Sequence, residues 1–537
     1  MTRRVIVNVS DLVKSAAARN PDGVALVEFR PERREMTWGQ LDEAADAVAR
    51  GLSARGLVAG HRVAVVMANR IDLPIAYFGI LRGGMVAVPI NPRSTMSEIT
   101  RMLADSMTRV VLSDELGAPQ VREAVADLEQ PPAVIVGGTE PVAGETGFQA
   151  FLSGASGTAP AAPPDAETLA VVLYTSGSSG KPRGAMLTHR ALLANIEQIA
   201  SLDHPPMAPD DIGLGLLPLF HVYGLNAVLG QAARQGARIV MVDGFDPDGL
   251  LDLIKSEGIT NLPLAPPVIA AWAGRSDLRD KLAGVRTVLS GASSLDPDLS
   301  AAFTESSGLF VEEGYGLTEA APVVAVTLAS LRHPSTPPKM GSVGHALPGV
   351  EIRVTETGLT PSDEVVVGAA VVAADPSEIW VRGDNLFSGY WPDGVDGPDD
   401  DGWYATGDIG LIDADGDLMI VDRVRELVIV SGFNVYPSEV EDIISEVDGV
   451  AQVAVVGVPD EETGEAVVAF VEPFASVDQE ALIEAVDARC RTRLARFKRP
   501  SRISIVSGLP RSATGKIEKG RLRALARSEA LGLDARP

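Results

Sequence analysis

Residues 174–184 read YTSGSSGKPRG, a stretch of five hydroxyl side chains, three glycines and two cations set between two apolar runs. Ahead of it LAVVLY (169–174), rich in Val and Leu, reads as a buried strand. Behind it Thr188 is placed to cap a helix carrying ALLANIEQIA (191–200). Strand, small polar loop and helix in succession resemble a phosphate cradle. Glycines let the backbone approach an anion, and hydroxyls and amides donate to its oxygens. The P-loop is excluded. It needs four residues between its glycines and then Lys-Ser/Thr, whereas Ser178 and Ser179 alone separate Gly177 from Gly180, and Pro182 follows Lys181. A flexible Ser/Gly surface loop has the same composition, so the rest of the chain decides.

The chain has 537 residues, which points to two or more domains. Its composition, 46% hydrophobic and 22% charged, is that of a soluble globular protein. A formal net charge of −26 repels nucleic acid and anionic lipid, and an anionic substrate must be met by locally concentrated donors. Cys490 is the only cysteine, so an intrachain disulfide is excluded and a reducing cytoplasm is the expected setting. The apolar run in MTRRVIVNVSDLVK is too short for a secretory signal. Residues 212–233 carry no formal charge over a span long enough for a bilayer. They include Pro218, four glycines, His221, Asn226 and Gln231, polar groups that lipid would leave unsatisfied. This segment is expected to be a buried strand, a loop and a helix, with no integral membrane segment.

Over the first four hundred residues, strand-like HRVAVVMAN, MVAVPIN, TRVVLSD and AVIVGG alternate with helical patterns such as LDEAADAVARGLSARG. That alternation predicts an α/β architecture with parallel-rich sheets. Residues 153–164 (SGASGTAPAAPP) read as a linker, and 391–402 (WPDGVDGPDDDG) as a turn-rich acidic loop. After DRVRE the texture changes to a helix (SEVEDIISEVDGV), two strands (AQVAVVGV, AVVAFVEP) and a long helix (QEALIEAVDARCRTRLA), a small α+β unit. The expected domains are 1–422 and 423–537. No internal repeat is found.

Six further stretches complete the set: PLFHVYG (218–224), LSGASSL (289–295), EEGYGLTEAAP (312–322), WYATGDIG (403–410), DRVRELVIVSGFNVYPSEVE (422–441) and the terminal TGKIEKGRLR (514–523). Together with YTSGSSGKPRG, in this order and over nearly the whole chain, they resemble the adenylate-forming superfamily. The resemblance is closest to its acyl-CoA synthetases of the long-chain-fatty-acid–CoA ligase type. It implies a large N-terminal domain, a small mobile C-terminal domain, and a two-step reaction using ATP, Mg²⁺ and CoA. A carboxylate first attacks the α-phosphate of ATP to give an acyl-adenylate, and a thiol then displaces AMP. Both steps load charge onto phosphate oxygens, so catalysis rests on positioning and electrostatics.

The resemblance also implies roles for individual residues. Thr175, Ser176, Gly177, Ser178, Ser179, Gly180, Lys181 and Arg183 would hold the β- and γ-phosphates; the family usually has lysine where Arg183 stands. Thr318 would contact the α-phosphate and Glu319 the Mg²⁺, although Thr-Glu is also an ordinary helix start. Tyr315, between Gly314 and Gly316, would stack on adenine with Gly291 and Ala292 on its other face; in isolation it reads as a core aromatic. Asp408 and Arg423 would hold the ribose hydroxyls. His221 matches the family histidine near the acyl carboxylate. Lys516 matches the C-terminal lysine that bridges carboxylate and α-phosphate, and only eight of the 46 basic side chains are lysine. Arg425 takes the place of the family's hinge Asp or Lys. Gly432 and Lys498 would meet the pantetheine and a phosphate of CoA.

The segments implied to line the acyl pocket, with His221, Tyr223, Gly224, Asn226, Val268, Ser290 and Leu317, are apolar and rich in small residues. HVYGLNAVLG lacks the aspartate with which amino-acid-activating relatives hold an ammonium. The expected substrate is therefore a medium- to long-chain fatty acid, with an aryl acid as runner-up. Two further readings stay open: a ligase that loads a carrier protein instead of CoA, and a decayed nucleotide- or acyl-binding protein. No pattern fixes an oligomeric state.

Overall fold

The computed structural model describes residues 6–29, 32–158, 162–163, 165–175, 182–291, 295–330, 336–355, 377–423, 426–430, 433–460, 463–474, 477–512 and 515–530. The chain divides into two compact units, the first holding Met1–Gly177, Lys181–Ile352 and Val381–Tyr404, and the second containing Ala405–Pro537.

Two parallel-rich sheets form the first unit. Among the described residues, the seven-stranded sheet runs in the order Thr146–Gly147, Ala133–Val136, Val110–Ser113, Arg62–Val66, Val86–Pro89, Leu169–Thr175 and Arg183–Thr188. Every neighbouring pair is parallel except the last. The five inner strands are near-continuous Val/Ala/Ile/Leu runs because both faces of the sheet are covered, and residues of either parity are buried. One such helix, Trp38–Ala54, starts at a capping box in which Thr37 accepts from the Gln40 amide and the Gln40 side chain accepts from the Thr37 amide.

The second sheet has nine strands among the described residues, with Ile212–Gly215 near its centre. Asn261–Leu264, Thr287–Ser290 and Val311–Gly316 follow on one side in parallel register, and Val323–Val326 and His345–Ala346 close that edge antiparallel. Parallel strands here carry chemistry-bearing residues to their C-terminal ends, the usual place for ligands in such sheets. The uncharged 212–233 segment becomes the strand Ile212–Gly215, a π-helix Tyr223–Gly230 and a short helix Gln231–Gln235. No helix among the described residues is long and apolar enough to cross a membrane.

In the second unit Val450–Asp460 and Gly464–Pro473 form a long antiparallel hairpin. Arg502–Ile505 adds parallel to its second strand, and Val428–Val430 pairs with Phe433–Val435 and with Gly464. Helices Pro437–Ser445, Gln479–Arg493 and Lys519–Ala530 complete an α+β unit with two apolar clusters of its own, one around Val455 and Val486 and one around Phe470 and Leu522. The architecture is the expected one: a large α/β unit with parallel-rich sheets and a small α+β unit.

Candidate active site

Leu169–Thr175 does not lead through a loop directly into a helix. The chain returns as a second strand, Arg183–Thr188, with Tyr174 opposite Gly184 and Thr175 opposite Arg183. In RGAMLT, Ala185 and Leu187 alternate into the core and Thr188 is extended, so helix His189–Ala200 starts only where the Thr188 hydroxyl accepts the Ala191 amide at 3.1 Å. The two strands that flank the polar stretch in sequence thus pair antiparallel. Ser176, Gly177, Ser178, Ser179, Gly180 and Lys181 lie outside the described residues. Arg183 pairs with Asp396 at 2.6 Å and lies 3.7 Å from the centroid of the Tyr390 ring.

That hairpin brings a distant segment with it. Backbone bonds join Met186 to Ser388 and Gly389 and Trp391 to Gly184, at 2.8–3.1 Å. They place Tyr390 so that its hydroxyl donates to Oε1 of Glu319, while the Phe387 amide donates to the Glu319 carbonyl at 2.9 Å. Phe387 packs edge-on against Tyr390 and Tyr404, with centroids 5.0 Å apart. Glu319 is only 8% exposed, on the single 3₁₀ turn Thr318–Ala320 rather than at a helix start. Two amides hold that turn: Asn385 donates to the Ala320 carbonyl at 2.8 Å, and Asn226 to the Ala321 carbonyl at 2.6 Å. The Asn226 amide also reaches the Leu192 carbonyl at 3.1 Å, so its nitrogen is committed to the scaffold.

Val311–Gly316 carries Gly314, Tyr315 and Gly316 opposite Val326, Ala325 and Val323, and Tyr315 is buried. On the neighbouring strand Ser290 is buried, and its hydroxyl has no hydrogen-bond partner among the described residues. Gly291 follows. A Cβ there would lie 2.7 Å from Cε1 of Tyr223, so glycine is what admits that ring. The Tyr223 hydroxyl is likewise buried with no partner among the described residues, and burial raises its pKa well above the ordinary value. A Cβ on Gly224 would strike the Pro218 carbonyl. Val268 packs in the apolar cluster around Leu264 and Trp272, and Leu317 is half-buried. Ala292 lies outside the described residues.

His221 precedes the π-helix, and its Nδ1 accepts the Tyr223 amide at 3.3 Å. Burial lowers its pKa to about 4. At neutral pH the imidazole is therefore uncharged, with Nδ1 as acceptor and the proton on Nε2.

In the second unit, register sets Asp408 opposite Arg423 on the strands Trp403–Ile412 and Leu418–Arg423. Asp408 is 4% exposed and its amide donates to the Thr406 hydroxyl at 3.1 Å. Arg425 and Gly432, like the side chain of Arg423, lie outside the described residues. Lys516 ends a tight turn in which the Ser512 amide donates to its carbonyl at 2.8 Å and its own amide donates to the Ser512 hydroxyl at 3.2 Å. Lys498 holds both oxygens of Glu439 at 2.6 Å, so its charge is already paired. Asp413, Asp415 and Asp417 cluster closely, but Asp413 accepts the other two backbone amides, the arrangement of a polar turn.

Tyr390 escapes a reading of the sequence. In SGYW it is one aromatic in a turn-rich stretch, and no spacing connects it with Glu319, 71 residues earlier.

The geometry can be set beside known proteins. The family model for AMP-binding enzymes matches residues 13–391, and that for the AMP-binding enzyme C-terminal domain matches residues 439–516. The chain is 33% identical to 4-coumarate–CoA ligase-like 9 of Oryza sativa subsp. japonica over 533 residues, covering 96% of this chain and 92% of that one. It is 31% identical to the long-chain-fatty-acid–CoA ligase of Bacillus subtilis, covering 96% and 94%. Among solved structures, the anthranilate CoA ligase AuaEII in complex with anthranoyl-AMP superposes with a TM-score of 0.84 at 25% identity, covering 98% of this chain and 99% of that one. Sequence motifs, sheet topology and these matches agree, and the chain belongs to the AMP-binding enzyme family of adenylate-forming proteins.

Proposed function

We propose that this protein is an ATP-dependent acid–thiol ligase. It activates a hydrophobic carboxylic acid, of medium to long chain, as the acyl-adenylate and passes the acyl group to CoA. The observation that carries this reading is the convergence of three segments remote in sequence: the Arg183–Thr188 strand, the Thr318–Ala320 turn and the 387–391 segment, locked together by backbone bonds and by the Tyr390–Glu319 contact. In an acidic protein these contacts bring one cation, Arg183, and one buried carboxylate, Glu319, to the same aromatic side chain, Tyr390.

In the first half-reaction a carboxylate oxygen attacks the α-phosphorus of ATP and pyrophosphate leaves. The loop residues Thr175 to Lys181, with Arg183, would hold the β- and γ-phosphates, and Thr318 the α-phosphate. Tyr315, with Gly291 and Ala292, would hold adenine, and Asp408 and Arg423 the ribose. Glu319 suits Mg²⁺, since Tyr390 engages only one of its oxygens and Mg²⁺ commonly takes one or two carboxylates beside substrate phosphates. When bound, Mg²⁺ neutralises charge on the phosphate oxygens. His221, uncharged and protonated at Nε2, would donate to the acyl carboxylate, and Lys516 would bridge that carboxylate and the α-phosphate.

In the second half-reaction the thiol attacks the acyl carbonyl and AMP leaves. The proposed boundary is 422/423, with Arg425 as pivot between the two half-reactions. Gly432 would approach pantetheine. Lys498 would have to share its ammonium between Glu439 and a CoA phosphate.

A second acid class is supported by a specific observation. The buried hydroxyls of Tyr223 and Ser290, without partners among the described residues, would suit an aryl acid carrying a hydrogen-bonding substituent.

The test is ATP–pyrophosphate exchange with a panel of fatty and aryl acids, for wild type and Lys516→Ala, with and without CoA. Expected are acid-dependent exchange, loss of about 10²- to 10³-fold in the variant, and acyl-CoA formation by wild type. Absence of exchange with every acid, despite ATP binding, would overturn the ligase reading.

A further inference from the structure

The second unit buries a lysine that this chemistry does not use. Lys519 Nζ lies 2.9 Å from Glu426 and 2.9 Å from Glu441, and the side chains of Lys519, Glu426 and Glu441 are 15%, 18% and 20% exposed. Burial acts to lower the Lys519 pKa, but Glu441 and Glu426 outweigh it and carry it up to about 12, so the ammonium stays charged at any working pH. Lys519 is also the first residue of the helix Lys519–Ala530, the end of a helix at which a cation opposes the backbone dipole. The helix start gains nothing from that charge. The two carboxylates account for it.

Their positions give the contact a use. Glu426 stands two residues before the strand Val428–Val430, at the base of the hairpin that continues through Phe433–Val435. Glu441 lies on Pro437–Ser445, where its Oε1 also accepts the Val455 amide at 2.6 Å. Lys519 therefore ties hairpin base, helix and central hairpin strand to one point. Immediately before it, the Glu518 amide donates to the Pro510 carbonyl at 2.8 Å and Arg511 bridges to Ile517, closing the turn that carries Lys516. The turn is closed on itself, and its exit is clamped by Lys519.

We propose that Lys519 is a positioning residue for acyl-adenylate formation: pinned between Glu426 and Glu441, it fixes the Lys516 turn against the base of the 428–435 hairpin, so that Lys516 is presented in one place. The inference rests on the adenylation reading above. The clamp acts through Lys516 and contributes nothing separate to the chemistry.

The experiment is pyrophosphate exchange by wild type, Lys516→Ala, Lys519→Met, Lys519→Arg and the double variant Lys516→Ala/Lys519→Met, with acyl-CoA formation from supplied acyl-adenylate measured alongside. A misplacement of about 1 Å costs on the order of 10²-fold, so Lys519→Met should lower the kcat of exchange by roughly 10- to 100-fold with KM for ATP held within about twofold. Lys519→Arg, which retains the cation, should recover to within about threefold of wild type. In the Lys516→Ala background, adding Lys519→Met should change exchange by less than about twofold, because coupled residues are non-additive. Thioester formation from supplied acyl-adenylate should stay within about twofold of wild type.

Wild-type exchange in Lys519→Met, equal slowing in the Lys516→Ala background, or no recovery by arginine would overturn the proposal. Should Lys519→Met fail to fold, Glu426→Gln takes its place: a loss of about threefold confined to kcat supports the clamp, and an unchanged rate overturns it. Wild-type exchange in Lys516→Ala would instead overturn the adenylation role of Lys516 itself, so the two failures are separable.

Discussion

Glu319 is a carboxylate whose direction is set by a neighbour: Tyr390 spends its hydroxyl on one oxygen and offers its ring to Arg183. Tyr390→Phe separates these two roles, since the ring stays and the hydroxyl goes. With Mg²⁺ held by Glu319 as proposed above, the expected result is an increase of about tenfold in the Mg²⁺ concentration giving half-maximal pyrophosphate exchange, the loss typical when the hydrogen-bond partner of a metal ligand is removed. An unchanged Mg²⁺ titration would mean that the hydroxyl serves packing alone. Glu313, next to Gly314 and Tyr315, carries a different signature. Burial pushes its pKa up to about 7 from 4.5, so the folded protein binds this proton more tightly than the unfolded chain. The resulting stability is complete below about pH 4.5 and is lost as pH rises towards 7. Glu313→Gln removes the ionisation, and should stabilise the protein by about 1–3 kcal/mol at pH 8 and by almost nothing at pH 4 in urea denaturation.

At the scale of elements, the hairpin Leu169–Thr188 shows how a local pattern is read and where the reading stops. LAVVLY as a strand and Thr188 as a helix cap are both legible, because a buried parallel strand is a continuous apolar run and a cap is a side chain acting on amides two or three residues away. The intervening strand Arg183–Thr188 is not legible. It is short, opens on Arg-Gly, and owes its second edge to Ser388, Gly389 and Trp391, some two hundred residues later. The cap gives a direct check on this element: Thr188→Ala should cost about 1 kcal/mol of stability, read as a shift in the denaturation midpoint. A loss well below this figure would assign the start of His189–Ala200 to packing rather than to its cap. The Thr318–Ala320 turn is a similar case. Thr-Glu reads as a helix start, yet Asn385 and Asn226 take the carbonyls that a helix would have used.

For the whole molecule, each unit has its own core, and a lesion in one should be felt there first. Phe470 is fully buried among Ala454, Val456 and Leu522 in the second unit. Phe470→Ala should cost about 3–5 kcal/mol, seen as lost hydrogen-exchange protection in strands 450–460 and 464–473 while strand 169–175 keeps its own. Loss of protection in both would show one cooperative unit. The sequence by itself determined the fold class, the family, and the residue types available for phosphate, ribose and carboxylate chemistry. These follow from periodicity, capping and motif order, all of which are properties of neighbours along the chain. Only the tertiary structure decided that Tyr390 holds Glu319, that Asn226 is spent on backbone carbonyls, that His221 is uncharged, and that Lys519 is clamped between two carboxylates. Burial and hydrogen-bond partners belong to distance in space, and chains of tens to hundreds of residues separate the groups that meet.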